Sequence, residues 1–220
     1  LETDEDVTVG FSLLGDDANG DDITYSFTTQ PSNGTISLPP AFDGYSLQFD
    51  GSADYVEVPH HSGLNLQNEF TLEAWVKINN DTGTHRICSK QGSFGFGIMD
   101  GEIKFTTYGH LDYTTTSATL PSNEWCHLAL TLNSSNDADF YVNGSFLETV
   151  SGSNSANTSS EPFYIGKGSG EHWNGYIDEV CVWNRVLTEQ EISDGMENEH
   201  TGNETGLAGL WQFNEGSGTA

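Results

Sequence analysis

The 220-residue sequence is poorest in positive charge, with 6 Lys+Arg against 33 Asp+Glu and a formal net charge of −27. A surface of that sign repels phosphate backbones and anionic headgroups, which excludes a nucleic-acid partner of the basic-groove type and a partner on an acidic membrane. Cations are its natural counterparts. Cysteine is scarce as well: Cys88, Cys126 and Cys181 are too few for a disulfide scaffold and odd in number, which allows at most one bridge. Each stands in an apolar run, Arg86-Ile87-Cys88, Trp125-Cys126-His127-Leu128 and Val180-Cys181-Val182. A buried small apolar residue is the favoured reading of each, and spacing alone leaves any pairing open. No stretch approaches the ~20 apolar residues of a membrane span. The sequence opens at Leu1-Glu2-Thr3-Asp4 without a starting Met or signal peptide and stops at Gly218-Thr219-Ala220, which reads as a piece of a longer chain.

What is present is β-forming. Hydrophobic residues at 35% with 11% aromatics suffice for the core of one large β domain or a domain with a small appendage. Short alternating or aromatic and β-branched runs recur between Gly, Asn, Asp and Ser clusters, as in an antiparallel sandwich. They predict strands at Val7–Leu14, Ile23–Thr28, Ser46–Phe49, Tyr55–Val58, Phe70–Ile78, His85–Lys90, Phe94–Ile98, Glu102–Tyr108, Trp125–Leu132, Asp139–Val142, Ser145–Val150, Phe163–Ile165, Gly175–Trp183 and Ala208–Phe213. Asp100-Gly101 and Asn143-Gly144 supply the positive-φ residues of tight hairpins. One helix is expected after Thr188, because Glu191 three residues on completes a capping box. Pro39-Pro40 removes two backbone donors and forces extended geometry, which places a boundary between a 1–38 β segment and a 39–220 domain.

From Tyr45 onward five segments occur in order: Ser46-Leu47-Gln48-Phe49-Asp50-Gly51-Ser52-Ala53-Asp54-Tyr55-Val56-Glu57-Val58, Phe70-Thr71-Leu72-Glu73-Ala74-Trp75-Val76, Glu124-Trp125-Cys126-His127-Leu128-Ala129, Phe140-Tyr141-Val142-Asn143-Gly144, and Gly175-Tyr176-Ile177-Asp178-Glu179-Val180-Cys181-Val182-Trp183-Asn184-Arg185. With the closing Trp211-Gln212-Phe213-Asn214-Glu215-Gly216-Ser217-Gly218 they resemble the laminin-G-like, concanavalin A-like family of bacterial extracellular modules. The resemblance implies an all-β jelly-roll sandwich of two antiparallel sheets. The first block, through Asp16-Asp17-Ala18-Asn19-Gly20-Asp21-Asp22-Ile23-Thr24-Tyr25 and Gln30-Pro31-Ser32-Asn33-Gly34-Thr35-Ile36, more loosely resembles a partial cadherin-like or immunoglobulin-like adhesin repeat.

Calcium is the first ligand expected. It takes six to eight oxygens, which acidic Gly/Ser loops supply, and Asp50-Gly51-Ser52-Ala53-Asp54 places two carboxylates and a Gly carbonyl in one turn. Resemblance to calcium-holding glucanases of this fold implies Asp178 as a late-strand ligand beside Asp50, Gly51 and Asp54. The bland alternative is an Asx-type turn with Asp178 serving its strand. Asp17-x-Asn19-Gly20-Asp21 lacks the twelfth-position Glu of an EF-hand and reads as a hairpin tip. None of the seven His (His60, His61, His85, His110, His127, His172, His200) stands in a zinc spacing motif, so structural roles are expected for all of them.

Catalysis finds no support in the sequence. The Glu-x-Asp-x-x-Glu strand of retaining glucanases of this fold is absent, and in Ile177-Asp178-Glu179-Val180 strand alternation sends the two acids to opposite faces. Sugar recognition needs exposed aromatics beside polar side chains. Tyr108 with His110 and Tyr113, and His172-Trp173-Asn174, are the loop candidates. The expectation is a non-catalytic, calcium-stabilised adhesion or glycan-binding module of a large surface or secreted protein, extracellular, with a glycan or cell-surface ligand. The alternatives are an accessory carbohydrate-binding module or atypical glycoside hydrolase of the same fold, and a structural spacer in a repeat array.

Overall fold

The computed structural model describes residues 45–117 and 120–215. The strands expected at Val7–Leu14 and Ile23–Thr28, the 38/39 boundary and the acidic hairpin at 16–22 lie outside the described residues. The strands are β1 Leu47–Asp50, β2 Val56–Val58, β3 Phe70–Ile78, β4 Thr84–Lys90, β5 Phe94–Met99, β6 Glu102–Thr107, β7 Leu111–Thr114, β8 Trp125–Leu132, β9 Ala138–Val142, β10 Ser145–Val150, β11 Phe163–Ile165, β12 Asn174–Trp183 and β13 Leu207–Trp211, with a 3-10 turn at Ser62–Leu64 and, among the described residues, one α-helix, α1 Glu189–Glu197, before the last strand. They form two antiparallel sheets. The seven-stranded sheet runs β1-β12-β3-β8-β9-β10 with β13 also on β12, and the six-stranded sheet runs β2-β11-β4-β5-β6-β7. This is the jelly-roll sandwich expected from the strand pattern.

Alternation decides which side chains meet between the sheets. In β5, Phe94, Phe96 and Ile98 are fully buried, while Gly95 and Gly97 take the opposite face, as period-two geometry requires. Phe94 packs against Phe70, Phe105 and Phe163 at ring-centroid distances of 5.7, 6.5 and 6.4 Å, which joins the two sheets at the centre of the core. The hairpins form where their turn residues stand: Asp100 and Gly101 take φ of 51° and 84°, and Asn143 and Gly144 take 49° and 76°. β7 escapes the sequence pattern because only four residues of mixed character, Leu111-Asp112-Tyr113-Thr114, make it up.

β3, β8 and β12 are buried along nearly their whole length, so the seven-stranded sheet is covered on its outer face too. The cover is α1 and its flanking loops: Leu187 and Ile192, with Leu207 and Leu210, pack on Ala129, Tyr141, Cys181 and Trp183. α1 starts where expected, with Thr188 accepting from the Glu191 backbone while the Glu191 side chain accepts from the Thr188 backbone. All three cysteines are free and buried. Burial pushes the Cys88 thiol up to about 12 and that of Cys126 to about 11, so neither is a ready thiolate. Among the described residues no helix is long and apolar enough to cross a membrane.

Candidate functional site

The outer face of the six-stranded sheet gathers much of the chain's scarce positive charge. Strand register builds it in two rows. One aligns Arg86 with Gly97 and Lys104, and the other aligns Glu57, Tyr164, Ser89, Gly95, Thr106 and Asp112. The two central glycines leave room that other groups enter. A Cβ at Gly95 would stand 2.9 Å from the Tyr108 hydroxyl and 3.3 Å from the Arg86 guanidinium. At Gly97 it would stand 2.0 Å from the His85 carbonyl oxygen, so only glycine fits there.

Arg86, 2% exposed, is the centre of a polar chain. Its Nη1 donates to the Gly95 carbonyl at 3.2 Å and its Nη2 to Thr106 Oγ1 at 2.9 Å. Thr106 in turn donates to Asp112 Oδ1 at 2.7 Å, and Lys104 Nζ pairs with Asp112 Oδ2 at 3.0 Å. From the loop after β11, Glu171 Oε1 faces Arg86 Nη2 at 3.8 Å. Nε of Arg86 and Oε2 of Glu171 are buried without a protein hydrogen-bond partner. A buried charged group left with an unused donor or acceptor is costly, and a buried water is the partner such a group ordinarily finds.

Beside this chain stands an aromatic pair. Tyr55, 40% exposed, meets Tyr164 edge to face at 5.7 Å. Lys167 Nζ lies 3.6 Å from the Tyr55 ring centroid and 4.7 Å from that of Tyr164, which fixes both rings and is worth about 0.5–1 kcal/mol at an exposed position. The Lys167 backbone is held in turn by Ser89 Oγ, 2.6 Å from its carbonyl oxygen. Electrostatics match the geometry. Burial raises the Asp112 carboxyl, but hydrogen bonds from Thr106 and Lys104 and the charges of Lys104 and Arg86 outweigh it and hold Asp112 below its ordinary value. Burial raises the Tyr108 phenol, with Arg86 opposing, so it stays a neutral hydroxyl.

The expected ligand residues divide. Tyr108 belongs to this face, and His172 lies next to it, its carbonyl oxygen 2.9 Å from His85 Nδ1. His110 is exposed and bonded to Asn157 Oδ1 at 3.2 Å. Tyr113 and Trp173 are corrections: both are 0% exposed. Tyr113 packs on Phe105 at 5.4 Å, and its hydroxyl donates to the Asn136 and Asn154 carbonyls at 3.2 and 3.3 Å. The Trp173 indole donates to the Tyr176 carbonyl at 3.1 Å, so its polar tip is satisfied inside and its rings present no surface. Asn174 is half-buried, and its Oδ1 accepts from Asn79 Nδ2 at 3.2 Å.

The expected calcium set is also separated. Asp50 pairs with Asn174 in the β1–β12 register, and Asp178 stands four residues further along β12, roughly 13 Å at strand rise. Ligands of one ion at about 2.3–2.6 Å each cannot span that. Asp50 is occupied locally: Oδ1 accepts from the Ser52, Ala53 and Asp54 backbones at 2.7, 2.8 and 3.3 Å, and Oδ2 from Ser52 Oγ at 2.7 Å. Those bonds hold its carboxyl far below the ordinary range. Asp54 Oδ2 closes the turn on the Asp50 backbone at 3.0 Å, and Gly51, at φ 80°, sits against Asn174. Asp178 is buried, with Oδ1 accepting from the Glu179 backbone at 2.9 Å.

Sequence reading missed Arg86, Lys104, Asp112, Glu171, Lys167, Tyr55 and Tyr164 as a group. The one signal available was glycine: Gly95 and Gly97 interrupt an otherwise apolar strand, as positions of close approach do.

Residues 50–193 match the family model of the concanavalin A-like lectin/glucanases superfamily. No curated protein sequence matches the chain. Among solved structures, a Bacteroides ovatus protein described as carbohydrate-binding is 20% identical with a TM-score of 0.65, covering 77% of this chain and 52% of its own. Domain 4 of an extracellular arabinanase from Geobacillus stearothermophilus, solved with arabinotriose, is 20% identical with a TM-score of 0.58, covering 76% and 82%. The binding domain of a botulinum neurotoxin, solved with SialylT, is 15% identical with a TM-score of 0.54, covering 70% and 42%. The chain thus spans about half of the Bacteroides protein and less of the neurotoxin domain.

Proposed function

The chain belongs to the concanavalin A-like lectin/glucanases superfamily, and on that premise we propose that it is a non-catalytic glycan-binding module whose recognition surface is the outer face of the six-stranded sheet. The observation that carries this is the conjunction on one face of the Tyr55 and Tyr164 rings with the solvent-reaching carboxylates of Glu171 and Asp112, 29% and 53% exposed. Sugars present rows of hydroxyls that donate and accept at once, and apolar C–H faces that stack on rings. The exposed carboxylates can accept from the hydroxyls, and the tyrosines match the C–H faces. The sugar-bound states in which the arabinanase domain and the neurotoxin domain were solved support the reading.

The direction of the Asp112 shift speaks against that residue as a general acid. A general acid must hold its proton near neutral pH, and Asp112 is pulled the other way. Placement outside the cell as part of a longer surface or secreted protein belongs to the same proposal. So does calcium, as a counter-ion to the acidic surface rather than a shared ligand of Asp50 and Asp178. Titration calorimetry against neutral oligosaccharides, arabino-oligosaccharides included, tests the reading. Tyr164→Ala is expected to weaken binding by about tenfold, the worth of one aromatic contact, with the circular dichroism spectrum unchanged. Release of reducing ends from any of those sugars would remove the non-catalytic part.

A further inference from the structure

Three ionisable side chains from separate segments converge on the outer face of the other sheet. Glu73 of β3 and Cys181 of β12 are direct cross-strand partners, and His200 comes from the loop between α1 and β13. One ligand atom of each lies within 4.8 Å of the others. Glu73 and Cys181 are 2% and 1% exposed, and the His200 side chain is 14% exposed.

The Glu73–His200 contact has an ion-pair spacing that also suits two ligands of one ion. His200 Nε2 stands 3.6 Å from Glu73 Oε1, and His127 Nε2 stands 3.7 Å from Glu73 Oε2. Both exceed hydrogen-bond length. Atoms bound to one tetrahedral ion at 2.0–2.3 Å stand about 3.3–3.8 Å apart. Glu73 Oε2 is buried with no hydrogen-bond partner, as is Nδ1 of the adjoining His127. Trp183 Nε1 donates to Glu73 Oε1 at 2.7 Å, which fixes the carboxylate. On the far side of the imidazole, His200 Nδ1 faces Glu204 Oε1 at 3.9 Å, beyond hydrogen-bond length.

We propose that Glu73, Cys181 and His200 form a binding site for a thiophilic divalent transition metal, Zn²⁺ first, which clamps the 198–206 loop onto the seven-stranded sheet. A thiolate, an imidazole and a carboxylate are the donor types zinc takes, whereas calcium and magnesium take oxygen alone. The ion replaces the thiol proton, so one H⁺ leaves Cys181 for each ion taken up. Glu73 and the thiolate together balance the two positive charges. Water completes the fourth position on the exposed flank of His200. Spacing along the sequence cannot reveal such a site, because its ligands stand more than a hundred positions apart at the extremes.

The test uses the untagged full chain, stripped with a chelator and titrated with Zn²⁺ and, separately, with Co²⁺. One ion per chain is expected, with a higher melting temperature and a sulfur-to-cobalt charge-transfer band. Cys181→Ser should abolish that band, while Cys88→Ser and Cys126→Ser retain it. His200→Gln, at a loop position whose ring packs on Trp183, should weaken zinc by at least about tenfold with the circular dichroism spectrum unchanged. Absence of saturable uptake by the wild-type chain overturns the proposal. So does a cobalt band that survives Cys181→Ser, or zinc affinity unchanged in His200→Gln.

Discussion

The two outer faces of this sandwich solve the same problem in opposite ways. Both carry charged side chains on a sheet whose other side is the apolar core. On the seven-stranded sheet the charged group, Glu73, sits among Trp183, Tyr141 and Cys181, and α1 with its loops closes over them. On the six-stranded sheet the charges run in a cross-strand chain from Glu171 through Arg86 and Thr106 to Asp112 and Lys104. No helix lies over it among the described residues, and its rim reaches solvent: the side chains of Glu171 and Asp112 are 29% and 53% exposed. An apolar outer face must be covered, at the cost of access. The six-stranded face is instead covered at its centre by polar groups, with Arg86, Ser89 and Thr106 at 2%, 0% and 9% exposure, and a soluble ligand can dock only along its exposed rim.

That contrast is broken most severely at Trp183. Trp183→Ala removes a 2% exposed indole and the donor to Glu73, and should cost about 3–5 kcal/mol, read as a fall in denaturation midpoint, with glycan binding retained wherever the chain stays folded. Gly97→Ala attacks the other face through the backbone, since its Cβ would stand 2.0 Å from the His85 carbonyl oxygen. About 1–3 kcal/mol of overpacking is expected, together with weaker glycan binding because the strand carrying Arg86 must shift. Thr188→Ala removes the cap that positions the cover, worth about 1 kcal/mol, and should leave the six-stranded face untouched by hydrogen exchange.

Acid gives the smallest effect. Asp112 and Glu191 are both held below their ordinary values of 3.8 and 4.5. Their contribution to stability is therefore complete above about pH 5 and is lost as pH falls through their lowered folded values. Both groups reach solvent, so the loss is modest. A melting temperature that rises on acidification through that window would contradict the assignment.

Local signals in the sequence were the legible ones. Asn143-Gly144, Asp100-Gly101 and Thr188 with Glu191 each specify their turn or cap within four residues, and each forms. The sandwich was legible for the same reason, strand by strand. Trp173 was not, because its burial depends on the loop after β11 folding back so that its backbone N–H reaches the Gly166 carbonyl at 2.9 Å. A tryptophan between His172 and Asn174 looks like a loop aromatic until that closure is known. Register was not legible either: Asp50 and Asp178 are brought to adjacent strands, four positions out of step. Arg86 and its partners come from β4, β6, β7 and a loop, and only the pairing of those strands shows that they share one surface.

The account rests on the claim that the six-stranded face recognises sugar, and one measurement addresses it directly: oligosaccharide titration of the wild-type chain beside Tyr164→Ala, Glu171→Gln and Trp183→Ala. Saturable binding that is weakened about tenfold or more by the first two substitutions, and kept by folded Trp183→Ala, is the predicted result. Binding that ignores Tyr164 and Glu171, or a wild-type chain that binds none of the sugars offered, would contradict it.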